Sequence, residues 1–306
     1  MAEIDLGADL SCMKLKNPLL LASGTSGYGL ELAPLMDVSR LGGLILKSVT
    51  VEPVAGNPQP RIWETTGGML NSIGLENVGV EALVSEVLPT LGDLGVPVFA
   101  SIAGDTVRNY ARLASRLEDA GGVTALEVNV SCPNVEKGGL QFGADAGATS
   151  TVVMAVRENS DLPMFVKLSA AVSEVAKVAE AAARAGAAGL SLINTIPGMA
   201  IDPVSRRPKL GAVTGGLSGP AIKPIALKAV WDCYCATSLP VIGCGGIFDA
   251  DDVVEFMLAG AAAVAIGTAT FQDPDRATTI LDELPAAVRR AGADSARRLV
   301  GALKVT

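Results

Sequence analysis

Ala125-Leu-Glu-Val-Asn-Val-Ser-Cys-Pro-Asn134 is the stretch around which the chain is organised. Its first residues alternate and include β-branched side chains, which predicts a strand, and Ser-Cys-Pro breaks this pattern at Cys132. Strand-to-loop junctions are where α/β proteins keep their chemistry, and Asn129 and Asn134 place amides on either side of the thiol. We therefore predict a strand that delivers Cys132 into a polar pocket, in preference to a cysteine that only fills the core.

The same alternation recurs along the whole chain. Eight apolar runs that end in small or polar residues are each followed by a segment of helical period, which predicts an α/β fold, a (β/α)8 TIM barrel, as a single domain over residues 1–306. The predicted strands are Leu19–Ala22, Leu44–Lys47, Val96–Ser101, Ala125–Asn129, Met164–Leu168, Gly189–Ile193, Val241–Gly243 and Ala263–Ile266. The predicted helices are Glu31–Leu41, Val80–Leu94, Thr106–Ala120, Ala146–Asn159, Val172–Ala185, Ala221–Thr237, Ala250–Ala259 and Asp275–Arg290. Pro89 is expected to kink the second helix or end it early.

Three further segments complete the predicted architecture. A β-hairpin over Asp9–Lys16 is expected to plug the base of the barrel. The connections Thr50–Asn77 and Thr195–Gly219 are too long for simple βα loops, so they are predicted to be long active-site loops that form a lid or a binding wall. A doubly wound open sheet is the rival fold, but with a dinucleotide it would be expected to carry a G-x-G-x-x-G turn, and the chain has none.

Composition excludes several classes of function. The chain has 306 residues, a net charge of −8 and 49% hydrophobic residues, and its pI is near 4.7. An acidic chain without a long Lys/Arg cluster has no general attraction for a polyanion, so nucleic acid is not expected as a partner. The N-terminus lacks the apolar core of a signal peptide, and the uncharged runs 185–201 and 256–272 are broken by Gly, Thr, Asn or Pro. We expect a soluble cytoplasmic protein that does not bind a membrane.

Cysteine and histidine usage narrows the chemistry. The five cysteines are scattered and form no Cys-x-x-Cys pair, so neither a metal nor an iron–sulphur site is expected within this chain. The chain contains no histidine. An acid–base step near neutral pH must therefore use Cys, Lys, Asp, Glu or Tyr, which strengthens the case for Cys132.

Residues at the carboxyl ends of the predicted strands should meet on one face of a barrel. Most of them are polar or glycine, at positions where a structural core would be apolar, although a chance collection of solvated loop residues is the alternative. The residues are Ser23, Lys47, Ser48, Ser101, Asn129, Lys167, Ile193, Asn194, Thr195, Gly245, Gly246, Gly267 and Thr268. The glycines after strands seven and eight, with Gly215, Gly216 and Gly219, predict a phosphate site built from backbone amides. A phosphorylated cofactor is therefore expected.

Two lysines and a group of amides indicate what this face binds. Lys167 is predicted to lie inside the barrel mouth, where it would either pair with a nearby carboxylate or favour the reduced form of a flavin, which carries negative charge at its N1–C2=O edge. Lys47 faces the same pocket and is expected to hold a carboxylate substrate. A pyrimidine-like ring would match the amides of Asn71, Asn129, Asn134 and Asn194 together with Thr195.

These motifs resemble those of the dihydroorotate dehydrogenases. Asn129-Val-Ser-Cys-Pro-Asn134, followed by Gly138-Gly-Leu-Gln-Phe-Gly143, resembles the active-site loop of that family, most closely its class 1B branch. The resemblance runs from Asn17 to Thr268, with matching motifs in the same order at Lys47-Ser48, Asn71–Leu75, Asn194-Thr195 and Gly215–Lys223.

The resemblance implies an activity and a set of contacts. The activity is FMN-dependent oxidation of (S)-dihydroorotate to orotate in de novo pyrimidine (UMP) biosynthesis, with Cys132 as the base. FMN would contact Ser23, Lys47, Ser48, Ser101, Asn129, Lys167, Ile193, Gly219, Gly245, Gly246, Gly267 and Thr268. Substrate would contact Lys47, Asn71, Ser72, Ile73, Gly74, Leu75, Asn129, Asn134, Asn194 and Thr195. The chain departs from the family pattern at Ser101, where many relatives have asparagine, and at Cys244, where methionine or another apolar residue is frequent.

The class 1B resemblance also implies partners. Electrons would pass to NAD through a second subunit that carries FAD and a 2Fe–2S cluster, with this chain as the homodimeric core of a heterotetramer. One alternative is the class 1A branch, which is self-sufficient and reduces fumarate. Another is a tRNA dihydrouridine synthase-like flavoenzyme, whose motif resembles Asn-x-Gly-Cys-Pro but which would need a basic RNA-binding face that this acidic chain lacks.

Overall fold

The computed structural model describes residues 4–131, 133–134 and 140–305, and for 133–134 and 140–141 it describes the backbone alone. Eight parallel strands close into a barrel in chain order, each hydrogen-bonded to its neighbours. They are β1 Leu19–Leu21, β2 Gly43–Ile45, β3 Val98–Ile102, β4 Ala125–Asn129, β5 Met164–Leu168, β6 Gly189–Leu192, β7 Val241–Cys244 and β8 Ala261–Ile266. The predicted TIM barrel is confirmed, and its parallel strands are buried and mostly apolar, as is typical of strands covered by helices.

The barrel interior is layered because successive side chains of a strand point to opposite faces. The lower layer is apolar, and Phe99 packs against Phe165 with ring centroids 5.6 Å apart. Two residues further along the same strands the inward positions become polar, at Ser101, Glu127 and Lys167. The change from apolar to polar places the chemistry of the chain at the carboxyl ends of the strands.

The N-terminal segment closes the lower end of the barrel. Strand Ala8–Asp9 pairs antiparallel with strand Lys14–Leu15, and Leu10 at the turn is fully buried. Ala8, Leu10 and Leu15 belong to the same apolar cluster as the lower barrel layer. The predicted plugging hairpin is confirmed.

Helices cover the outside of the barrel. They span Val107–Ala120, Ala146–Arg157, Val175–Arg184, Lys223–Ala236, Ala250–Leu258, Ala269–Gln272 and Arg276–Arg290, with 3-10 turns at Phe142–Ala144, Pro220–Ile222 and Ala296–Leu299. The predicted helix Glu31–Leu41 is wrong: this segment forms turns and a single 3-10 helix, Val38–Arg40. Pro34 lies in its middle, where it lacks an N–H donor and its ring clashes with the preceding turn of a helix.

The second predicted helix is present but irregular. α-Helical turns at Gly79–Ala82 and Leu88–Leu91 enclose a π-helical turn at Leu83–Val87, and a 3-10 turn, Gly92–Leu94, follows. The expected disturbance at Pro89 therefore takes the form of a changed hydrogen-bonding pattern just before the proline, and the helical path continues.

Both long connections contribute strands to one small sheet, which we call the cap sheet. Its strands, in order across the sheet, are Ile196–Gly198, Gly215–Ser218, Gly68–Asn71 and Ile62–Thr65. Gly216 pairs with Asn71 and Ser218 with Met69, so the central contact joins the two connections. Two further strand pairs lie outside the barrel, Ile201–Asp202 with Arg207–Pro208 and Pro133–Asn134 with Leu140–Gln141. Among the residues that the structure describes, no helix is both long and apolar enough to cross a membrane.

Helix Ala250–Leu258 begins with a capping box that can be tested directly. The Asp249 carboxylate accepts from the Asp252 backbone N–H at 2.8 Å, and the Asp252 carboxylate accepts in return from the Asp249 N–H at 3.2 Å. Asp249→Ala is expected to lower the free energy of unfolding by about 1 kcal/mol, because the cap satisfies a helix N–H that otherwise lacks a partner. Urea unfolding followed by circular dichroism measures the change. Asp251→Ala, in the same first turn but outside the capping box, is the matched control, and an equal loss there would contradict the assignment.

Candidate active site

A cavity of about 580 Å³ opens at the carboxyl ends of the barrel strands. The cap sheet supplies part of its wall through Ile62, Met69, Asn71, Gly215, Gly216 and Ser218. The two long connections therefore form a binding wall, as their length predicts.

The cavity brings together most of the site residues that the sequence predicts. Those that line it are Ser23, Lys47, Ser48, Asn71, Ser72, Ile73, Gly74, Leu75, Asn129, Lys167, Ile193, Asn194, Thr195, Gly219, Gly245, Gly246, Gly267 and Thr268. Ser101 does not line it, because its side chain is fully buried behind Ser48 and bonds to that hydroxyl at 2.8 Å. Cys132 lies outside the described residues, and so does the side chain of Asn134.

A buried cluster of charges and hydroxyls lies at the floor of the cavity. Lys167 Nζ donates to Ser23 Oγ at 2.8 Å and to Glu127 Oε1 at 3.4 Å. The exposed fractions of the two charged side chains are 7% for Lys167 and 1% for Glu127. Lys167 thus pairs with a carboxylate, one of the two expectations from the sequence, while it still lines the cavity.

Amide and hydroxyl groups form a connected row along one side of the cavity. Asn194 Nδ2 donates to Ser131 Oγ at 2.9 Å and to Asn129 Oδ1 at 3.3 Å. Asn129 Nδ2 donates in turn to Ser48 Oγ at 3.4 Å. On the cap sheet, Asn71 Nδ2 donates to the Gly216 carbonyl at 3.3 Å. These contacts fix the amide orientations, so the row presents a defined set of donors and acceptors.

Lys47 also lines the cavity and has a weakly held counter-ion. Its Nζ is 3.9 Å from Glu76 Oε2, whereas Arg61 Nη1 is 3.0 Å from the same oxygen. Arg61 is further anchored by donating from Nη2 to the Ala55 carbonyl at 2.8 Å. Glu76 therefore pairs more closely with Arg61 than with Lys47, so the positive charge of Lys47 is only partly compensated and faces the cavity.

The loops after β7 and β8 fit an anionic group. Gly246 has φ +81°, a conformation that L side chains rarely adopt, and a Cβ there would lie 2.7 Å from Lys223 Cβ. Thr268 Oγ donates to Ser218 Oγ at 2.8 Å, which ties the β8 loop to the cap sheet. Within the described ranges, no hydrogen bond uses the backbone N–H of Gly246 or of Thr268. Free backbone donors of this kind suit a phosphate.

Two groups near the cavity have shifted pKa values. Burial raises the pKa of the Cys244 thiol, Lys167 acts to lower it, and Glu127 acts to raise it. At Lys223, burial acts to lower the pKa, but hydrogen bonds to Asp252 and Glu255 outweigh it and raise the pKa. Cys244 is therefore a neutral thiol near neutral pH, and Lys223 is a permanently charged residue held by the helix that follows β7.

Glu127, Glu76 and Ser131 are among the residues of the site that the sequence did not predict. Glu127 could have been found, because it is an acidic residue inside an apolar strand and in phase with Asn129. Glu76 and Ser131 carry no comparable signal, since polar residues are ordinary in loops. No group of three or more Cys, Asp or Glu residues positioned to hold a metal ion occurs in the described part of the chain.

Comparisons with known proteins agree with this geometry. A family model described as dihydroorotate dehydrogenase matches residues 6–288. A protein of Desulforudis audaxviator is 53% identical over 290 residues, covering 95% of this chain and 94% of the relative. One of Geotalea uraniireducens is 50% identical over 303 residues, covering 99% of each chain, and one of Geotalea daltonii is 49% identical over 305 residues, covering all of both. Each relative is named dihydroorotate dehydrogenase B (NAD(+)), catalytic subunit.

Proposed function

The chain belongs to the dihydroorotate dehydrogenase family, and from this premise we propose which residues bind the cofactor, which bind the substrate and which acts as the base. The chain is an oxidoreductase that oxidises dihydroorotate in pyrimidine biosynthesis, and its relatives place it in class 1B of the family. The NAD(+) in the relatives' names favours NAD over fumarate as the final acceptor, so the class 1A alternative is set aside.

We propose FMN as the cofactor of this chain. Support comes from the free backbone N–H groups of Gly246 and Thr268, which suit its phosphate, and from Lys167 at the cavity floor. The proposed contacts are those expected from the sequence: Ser23, Lys47, Ser48, Ser101, Asn129, Lys167, Ile193, Gly219, Gly245, Gly246, Gly267 and Thr268. Ser101 would act indirectly, through the hydroxyl of Ser48. When bound, FMN supplies the acceptor for the hydride that leaves the substrate.

The substrate is a cyclic amide with a carboxylate, and the cavity offers a partner for each part. Lys47 is proposed to bind the carboxylate, because its charge faces the cavity and Glu76 is held more closely by Arg61. Asn71, Asn129, Asn194 and Thr195 are proposed to bind the ring, since together they offer both donors and acceptors. The backbone of Ser72, Ile73, Gly74 and Leu75 would close the same side, and Asn134 is proposed as a further ligand.

Cys132 is proposed as the catalytic base. Oxidation of a saturated C–C bond beside a carbonyl requires loss of a proton from one carbon and of a hydride from its neighbour. The Cys132 thiolate would take the proton and become the thiol. Support comes from its position three residues after Asn129 on a strand that ends at the cavity, and from the absence of histidine in the chain.

The partners belong to the same proposal. The name catalytic subunit implies an electron-transfer subunit, and we propose that it carries FAD and a 2Fe–2S cluster. This chain has no Cys-x-x-Cys pair of its own for a cluster. We further propose a single-domain, cytoplasmic chain that forms a homodimer at the core of a heterotetramer.

One observation carries the proposal most directly: a single cavity joins two lysines, a row of oriented amides and free backbone donors at the carboxyl end of a barrel. The purified chain is expected to show flavin absorption and to release FMN on denaturation. With dihydroorotate it should reduce an artificial acceptor but not NAD, because the route to NAD lies in the partner subunit. NAD reduction by the single chain would contradict the proposed need for a partner subunit. Rapid fumarate reduction would instead assign the chain to class 1A. A chain purified without flavin would contradict FMN as the cofactor.

A further inference from the structure

Six polar side chains form a hydrogen-bonded group at and beneath the cavity floor, and we call them the Glu127 cluster: Ser23, Ser48, Ser101, Glu127, Lys167 and Ser191. Ser101, Glu127, Lys167 and Ser191 lie on four successive strands, and Ser23 and Ser48 lie just beyond the ends of the two strands before them, one layer above the apolar barrel core. Polar groups buried so deeply are retained only when they are well paired. The cluster satisfies that condition, which directs attention to the carboxylate at its centre.

Glu127 is surrounded by donors on both carboxylate oxygens. Oε1 accepts from Ser23 Oγ at 2.7 Å, from Ser101 Oγ at 3.0 Å and from Lys167 Nζ at 3.4 Å. Oε2 accepts from Ser191 Oγ at 3.0 Å. An ionised carboxylate is an acceptor only, so four converging donors are the environment that keeps it charged. This carboxylate, which pairs with Lys167, therefore lies under the cavity floor and does not line the cavity itself.

Lys167 connects this buried charge to the cavity. A lysine ammonium has three N–H donors, and the described residues take two of them, through Ser23 Oγ and Glu127 Oε1. The lysine also lines the cavity, whereas Glu127 does not. Glu127 thus fixes the position of the ammonium group and offsets part of its charge. Because both side chains are almost fully buried, each charge acts on its surroundings more strongly than it would in water.

We propose that Glu127 is a positioning residue that, acting through Lys167, sets the reduction potential of the flavin bound to this chain. The proposal rests on the proposed function, because it requires a flavin above the lysine. A reduced flavin carries more negative charge than the oxidised one, so an unopposed lysine would favour the reduced form and hinder the release of electrons to a partner. By opposing the positive charge of Lys167, Glu127 weakens the preference for the reduced flavin, so that electrons can pass to the partner.

The test is a double-mutant cycle that removes the charge at Glu127, at Lys167, or at both. Glu127→Gln preserves shape and leaves the lysine unopposed, so the equilibrium constant for flavin reduction against a dye of known potential should rise about tenfold. That change corresponds to about 30 mV for a two-electron couple. Lys167→Met should lower the constant, because it leaves the carboxylate unopposed. The double variant should fall between the two single variants.

Controls separate this role from a purely structural one. Glu118→Gln makes the same chemical change at a hydrogen-bonded glutamate on helix Val107–Ala120, outside the cavity, and should leave the constant unchanged. If Glu127→Gln does not accumulate as folded protein, Ser191→Ala replaces it; removing a donor from Oε2 while keeping both charges should lower the constant a few-fold.

The outcomes are distinguishable. A wild-type chain without flavin would overturn the proposed function itself. Wild-type protein with flavin, together with a Glu127→Gln constant equal to that of the wild type, would overturn only the role of Glu127, and so would an unchanged constant in Ser191→Ala. Loss of thermal stability in Glu127→Gln with an unchanged constant would show a structural residue and would equally overturn the inference.

Discussion

Cys132→Ala is expected to slow the reduction of the bound flavin by dihydroorotate roughly 10²–10⁴-fold, which is the usual contribution of a positioned general base. The substitution removes the group proposed to take the proton but leaves Lys47 and the row of amides intact, so orotate should still bind. Stopped-flow bleaching of the flavin absorption measures the rate, and a titration with orotate measures binding. The result would separate loss of chemistry from loss of the site.

The pH dependence gives an independent test of the same residue. A free cysteine thiol has a pKa of about 8.5, and only its thiolate form is a base. The wild-type rate should therefore rise as the pH approaches the pKa of Cys132 and level off above it, whereas Cys132→Ala should lose this rise. Cys235→Ala, at an exposed cysteine on helix Lys223–Ala236, is the matched control. Bleaching at the wild-type speed in Cys132→Ala would remove the residue from the mechanism.

Lys47→Met is expected to weaken orotate binding by roughly 10²-fold, because truncating one partner of a partly buried charge pair costs about 2–5 kcal/mol. The 26% exposed fraction of the Lys47 side chain shows that much of it is shielded from water. Calorimetric titration of the flavin-loaded protein with orotate measures the affinity. Since methionine keeps most of the side-chain volume, a change in shape would not explain the loss.

Glu76→Gln is expected to change orotate affinity in the opposite direction. It removes a carboxylate 3.9 Å from Lys47 that competes with the substrate carboxylate, so orotate should bind more tightly, by up to about fivefold. The effect is smaller because the Glu76 side chain is 47% exposed and solvent screens its charge. An unchanged affinity in Lys47→Met, with flavin retained, would exclude the lysine as the carboxylate ligand.

The barrel could be predicted from the sequence because its signals are local. Runs such as Met164–Leu168, apolar except for Lys167 near its end, are bounded by loops, and the structure has this strand with the predicted limits. Glu31–Leu41 shows where the same reasoning fails. Its buried residues Leu32 and Met36 are four apart, as on one face of a helix, but Pro34 prevents the helix, and burial alone does not specify the backbone.

The site could be predicted only in part, because its contacts are between distant segments. Strand ends identified Lys47, Asn129 and Lys167, since a parallel barrel brings all such ends together. The pairing of Gly216 with Asn71 had no signal in either segment, because strand pairing depends on where the barrel places the two connections. The partner of Lys167 likewise required the register that sets Lys167 beside Asn129 and Ser191.

The cap sheet has a consequence for anyone who would redesign this protein. The central strands Gly68–Asn71 and Gly215–Ser218 are hydrogen-bonded to each other, and a Cβ at Gly68 would lie 2.2 Å from the Ser218 carbonyl oxygen. Neither connection can be exchanged, shortened or diversified alone without losing its partner's backbone pairing. A library that aims at a new substrate must therefore vary or graft both connections as one unit, although the chain encodes them more than a hundred residues apart.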